Sequence, residues 1–151
     1  MESFLLEYGD LFSKPALAFP LMGKKQACFE NAANIAMSKH DFIYVEGMAL
    51  FKGLSIPVHH AWLVTLDGQT FDPTWAESGD AYFGIAFSTE YLRKTFCKHG
   101  SYGLLDEALG IANLLTGLEH DFKAAVTTSP QSEIFRKTAN SVCNQQRLLG
   151  D

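Results

Sequence analysis

The spacing of apolar residues divides the chain into blocks of different period. Across residues 26–39, in QACFENAANIAMSK, Cys28, Ala32, Ile35 and Ala36 recur at helical spacing, and the small side chains predict a helix packed closely against a neighbour. A shorter helical candidate covers residues 4–12 and is followed by a proline-punctuated segment, SKPALAFPLMG. Over residues 42–51 the period changes. FIYVEGMALF is aromatic and β-branched and predicts a strand, with Gly47 as a close-approach or bulge point. IPVHHAWLVTL and QTFDPTW then flank Asp67-Gly68, a strong hairpin signal. Helical signals return after YFGIAF: Ser88 can cap TEYLRKTFCK, and LLDEALGIANLLTGLEHDF and SEIFRKTANSVCNQQRLL predict two longer helices. Helix, then strands, then helices predicts an α+β domain, a small antiparallel sheet backed by helices. With no repeat or low-complexity linker, residues 1–151 read as a single domain, its core at 24–87 and a helical C-terminal part at 88–151.

Composition narrows the function classes. At 151 residues, 47% hydrophobic and 19% charged, the chain is long enough to bury a core and too apolar to be disordered. Twelve Lys and Arg against 17 Asp and Glu leave a net charge of −5, so neither nucleic acid nor an anionic membrane is an expected partner. No apolar run approaches the ~20 residues of a bilayer span. The opening MESFLLEYGD, with three acids and no early Lys or Arg, does not read as a signal peptide. Three cysteines at wide spacing suit neither a disulfide framework nor a zinc site. The expectation is a reduced, cytoplasmic protein, or one delivered into a host cell, with no metal or organic cofactor.

Candidate chemistry then rests on three residues in order: Cys28, His60 and Asp72. A thiol attacks well only as thiolate, and Cys28 falls in the first turn of the Ala-rich helix, just after Lys24 and Lys25, where the helix dipole and both charges favour the anion. A histidine must share the thiol proton, and a carboxylate on its other nitrogen fixes the tautomer. His60 and Asp72 lie on neighbouring strands of one hairpin, and register decides whether they meet. A two-residue Asp67-Gly68 turn sends them to opposite faces. A three-residue loop, Leu66-Asp67-Gly68, with Gly68 left-handed, pairs Thr65 with Gln69, sets Trp62 opposite Asp72 and makes His60 its diagonal neighbour. A working triad requires the second arrangement.

Other residues carry two readings each. Gln26 is a candidate donor to an oxyanion beside the Cys28 N–H, or an exposed first-turn residue. Glu46, a carboxylate amid apolar strand residues, either faces a cleft and binds substrate or faces solvent at an edge. Trp62, counted with Gln26 and Glu46 in the substrate-binding set, is otherwise core or cleft wall, as is Trp75. Tyr82 and Phe83 are read as lining the cleft from its far side. His59 competes with His60 as the functional histidine, but is expected to point to the opposite face of the strand. Cys97 and Cys143 read as core residues of helices, and His40, His99 and His120 as surface residues.

His60-Ala61-Trp62 and Asp72-Pro73-Thr74, in HAWLVTLDGQTFDPTW, resemble the corresponding hairpin of the transglutaminase-like branch of the papain-like cysteine enzymes. The resemblance covers about residues 24–76, and Cys28, His60 and Asp72 fall on the family's nucleophile, base and orienting positions. It implies a papain-like core and a thiol-dependent acyl-transfer enzyme. A cysteine protease or amidase acting on a peptide, isopeptide or side-chain amide comes first. Protein glutamine deamidation or transamidation is the alternative within that chemistry, and arylamine-type acetyl transfer is more distant. The rival from another class is a catalytically inert binding module, such as an effector or a phage-encoded regulator of a host protein. Oligomeric state is left open.

Overall fold

The computed structural model describes residues 2–13, 15 and 23–105. Of the two longer C-terminal helices expected from sequence, only Leu104 and Leu105 are described, and they are not helical; the rest, with Cys143 and His120, lies outside the described residues. The described chain runs α1 (Glu2–Tyr8), β1 (Asp10–Phe12), α2 (Cys28–Ser38), β2 (Phe42–Leu50), β3 (Val58–Thr65), β4 (Thr70–Phe71), β5 (Ala81–Phe87) and α3 (Thr89–His99). The strands form one curled antiparallel sheet in the order β1-β5-β2-β3-β4. The fold is therefore mixed α+β, as the block order implied.

The N-terminal helix departs from its expected span. It ends at Tyr8, because Gly9 closes it through an N–H bond to the Leu5 carbonyl at 2.8 Å, and a Cβ at Gly9 would lie 2.8 Å from the Phe83 ring. Released there, the chain pairs with β5 from Asp10 to Phe12, where helix was expected. Ser88 caps α3 as its position implied, its hydroxyl accepting the Tyr91 N–H at 3.2 Å, and Gly100 ends the helix in the left-handed conformation. Cys97 corrects another expectation: Tyr91, Leu92 and Thr95 carry the buried stripe of α3, and Cys97 is exposed.

Both faces of the central strands are covered, which is why β2 and β3 read as near-continuous apolar runs. On one face, Ala32, Ala33 and Ala36 bring α2 close against Tyr44, Ala61, Leu63, Ile85 and Phe87. On the other, Trp62 packs with Phe12, Val45, Val64, Tyr82 and Ala86. Full burial of an aromatic of that size contributes on the order of 3 kcal/mol. Gly84 makes room for it, since a Cβ there would sit 2.6 Å from Trp62 Cη2. Gly47, paired with both His60 and Gly84, is the close approach expected, not a bulge.

The β3–β4 hairpin takes the three-residue form. Leu63 pairs with Phe71 and Val64 with Thr70, while the Thr65 N–H donates to the Gln69 carbonyl at 2.9 Å. Gly68 is left-handed at φ 88°. This register puts His60 and Asp72 on one face.

Candidate active site

The site assembles where α2 begins, where β3 passes beyond the short β4, and where residues 72–80 loop back to β5. His60 is 2% exposed, and its Nε2 lies 2.8 Å from Asp72 Oδ2. The Cys28 thiol, at the first residue of α2, is near enough to the same imidazole to act on its protonation. With Nε2 turned to Asp72, Nδ1 is the nitrogen left for sulfur. Unlike His60, Cys28 is only partly buried.

Asp72 is held from all sides. Its Oδ1 accepts the Thr74 N–H at 2.9 Å and the Trp75 N–H at 3.0 Å, a turn that aims the carboxylate back along the strand. Its Oδ2 accepts from His60 and from the Tyr82 hydroxyl at 3.1 Å. The same turn brings the Trp75 ring over the imidazole, with centroids 3.9 Å apart and planes 14° from parallel. Trp75 is itself braced edge-on by Phe51.

Asn31 locks the start of α2 to this loop, a role the sequence did not reveal. Its side chain accepts the Lys24 N–H at 3.0 Å and donates to the Lys24 carbonyl and to Thr74 Oγ1. Gly23, whose Cβ would collide with the Asn31 amide at 2.2 Å, adds an N–H bond to the Pro73 carbonyl at 2.7 Å. The start of α2 and the Asp-Pro-Thr segment are thus one unit. Ala27, the residue before Cys28, offers no side-chain cap, so first-turn N–H groups of α2 are left to a ligand or water. Lys24, expected to act on the thiol, is ion-paired with Glu30 at 2.8 Å.

Three expected substrate contacts fare differently. Gln26 is exposed and left-handed at φ 61°, a conformation costing a residue with a Cβ about 1 kcal/mol, at the turn leading into Cys28. Glu46 neither lines a cleft nor faces solvent. It is fully buried on the α2 face, where Oε2 accepts from the Tyr44 hydroxyl at 2.7 Å and the Leu104 N–H at 2.6 Å, and Oε1 from the Leu105 N–H at 2.8 Å. His59 Nε2 lies 2.9 Å from Oε1, on the side of β3 opposite His60, and its ring packs on Phe29. Trp62 is also corrected as a substrate contact: it is fully buried beneath His60, its ring 6.4 Å from the imidazole and 18° from parallel. Tyr82, like Asn31, has a role that the sequence does not reveal. Expected as a cleft wall, it is instead a buried partner of Asp72.

Burial alone would pull the His60 imidazole down. The hydrogen bonds to Asp72 and Cys28, with the negative charges at both, outweigh it and push the group from 6.5 to about 9. A pKa raised on folding stabilises the fold fully below the unfolded value and ceases to do so as pH rises through the folded one. Stability attributable to His60, on the order of 3 kcal/mol, is therefore expected to be complete below pH ~6.5 and lost above pH ~9. Denaturant melts of wild type and His60→Gln check this: the gap between them should narrow across that window, and a constant gap contradicts it.

Among the described residues no group of His, Cys, Asp and Glu is arranged to hold a metal, and no helix is long and apolar enough to cross a membrane. No family model, curated protein or solved structure matches the chain.

Proposed function

We propose that the protein is a thiol-dependent acyl-transfer enzyme built on a papain-like core of the transglutaminase-like type, acting as a cysteine protease or amidase on a peptide, isopeptide or side-chain amide. One observation carries this reading. A partly buried thiol at an uncapped helix start lies within reach of an imidazole whose other nitrogen is 2.8 Å from a fully satisfied, buried carboxylate.

Cationic His60 and the first-turn N–H groups both place positive potential at Cys28 Sγ. The sulfur attacks the amide carbonyl, and the developing oxyanion is met by the Cys28 N–H and, from the preceding turn, by the Gln26 amide. Collapse breaks the C–N bond. The amine leaves with the proton from His60, and a thioester remains on Cys28. Neutral His60 then takes a proton from water, whose oxygen attacks the thioester, releasing the acid and restoring the thiol. An amine in place of water turns the same intermediate towards transamidation. Asp72 keeps its negative charge throughout and holds the ring; Trp75 covers one face of that ring.

An activated ester tests the reading without knowledge of the substrate. After brief exposure to p-nitrophenyl acetate, mass spectrometry should find acetyl on Cys28 in wild type and none in His60→Ala. Acetyl spread evenly over Cys28, Cys97 and surface lysines would count against it.

A further inference from the structure

The hydroxyl of Tyr82 is oriented by its surroundings. Tyr82 lies on β5, two strands away from β3, and is fully buried. Its oxygen accepts the Gly79 N–H at 2.8 Å. A backbone N–H can only donate, so the single phenolic proton is free to point elsewhere, and the acceptor before it is Asp72 Oδ2 at 3.1 Å. That oxygen is the one that holds His60 Nε2. Gly79 is itself constrained, since a Cβ there would lie 2.7 Å from the Leu50 carbonyl, 3.0 Å from the Trp75 ring and 3.1 Å from the Tyr82 hydroxyl. The ring of Tyr82 is fixed edge-on by Trp62 at 5.2 Å.

We propose that Tyr82 is a positioning residue of the triad, its hydroxyl holding Asp72 Oδ2 in line with His60 and taking a share of that oxygen's charge. This rests on the acyl-transfer reading above. It assigns β5 a part in the site and gives Gly79 a reason to be glycine.

The consequence is chemical as well as structural. A carboxylate oxygen with two donors holds an imidazolium less tightly than one with a single donor. His60 must gain a proton from the thiol and surrender it to the leaving amine, so an imidazole made too basic releases it slowly. Tyr82 restrains that basicity. The charged and titratable groups acting on the pair are Asp72 and Cys28 on His60, and Asp72 and Asp80 on Tyr82. Burial, followed by the Asp72 charge, pushes Tyr82 well above the ordinary phenol range, so its proton stays in place near neutral pH.

The test is the His60 imidazole titration, followed by NMR in the full chain, for wild type, Tyr82→Phe and protein carrying 3-fluorotyrosine at position 82. Tyr82→Phe should raise the His60 midpoint by roughly 0.5–1 pH unit, whereas the more acidic fluorophenol, which keeps the packing, should lower it. A purely structural tyrosine would change stability and leave both midpoints where they were, and that result overturns the proposal. If Tyr82→Phe does not fold, the fluorinated protein decides alone. Cys28 alkylation in wild type is measured alongside. Slow alkylation with shifted His60 midpoints would fault the enzyme reading and spare the Tyr82–Asp72–His60 coupling; fast alkylation with unmoved midpoints would do the reverse.

Discussion

Asp72→Asn is expected to cost roughly 10²–10⁴-fold in acyl transfer from an activated ester while leaving the protein folded. The asymmetry follows from the two oxygens. An asparagine oxygen in place of Oδ1 still accepts the Thr74 and Trp75 N–H groups, so the turn survives. The amide NH₂ then occupies the Oδ2 position and points donors at His60 and at the Tyr82 hydroxyl. Facing a donor, the imidazole must put its proton on Nδ1, towards sulfur, and can no longer take one from the thiol. Stability should fall by only about 1–3 kcal/mol, from the mismatched Tyr82 contact and the lost imidazolium pair. Ester turnover and thermal melting measured on the same sample check both halves. Turnover within a fewfold of wild type would contradict the role given to Asp72.

Glu46→Ala is expected to have the largest effect on stability, about 3–5 kcal/mol. The carboxylate is inaccessible to solvent and accepts from the Tyr44 hydroxyl and two successive backbone N–H groups, those of Leu104 and Leu105. Its removal strands the Leu104 and Leu105 N–H groups in an apolar setting, alongside His59, and leaves the Tyr44 hydroxyl only the Tyr102 carbonyl at 3.1 Å. Hydrogen exchange adds a local readout. The Leu104 and Leu105 amides should lose protection first, because Glu46 is what holds residues 104–105 to β2. A denaturation midpoint close to wild type, with those amides still protected, would show that the anchor lies elsewhere.

These two carboxylates mark the limit of what the sequence could reveal. Asp72 was legible because its partner is twelve residues away in one hairpin, leaving only the register open. The loop chemistry selects that register: Thr65 Oγ1 accepts the Gln69 N–H at 3.0 Å and bonds to Asp67, closing the three-residue form with Gly68 left-handed. Glu46 was not legible, because its acceptor role is set by residues 58 and 59 positions further on. Tyr82 likewise acts through a β5 strand that inserts between β1 and β2, an order that no local pattern encodes. The Asn31 bracket joins a helix to a loop 43 residues away. Cys97 is legible as an outward position on α3. Tyr91, Leu92 and Thr95 define the buried side of α3, and two residues beyond Thr95 a helix points nearly opposite. Gly9 carried the signal that α1 stops early, since a helix followed by glycine ends there more readily than it continues.

The central claim is that Cys28 is an activated nucleophile, and the exposed Cys97 provides the reference within the same molecule. The measurement is the pH dependence of iodoacetamide labelling at each cysteine, mapped by mass spectrometry in wild type and His60→Ala. The account predicts that Cys28, though less exposed, labels at least ~10-fold faster than Cys97 near neutral pH, and that His60→Ala removes the difference. Equal labelling of the two thiols, or a fast Cys28 indifferent to the loss of His60, would contradict it.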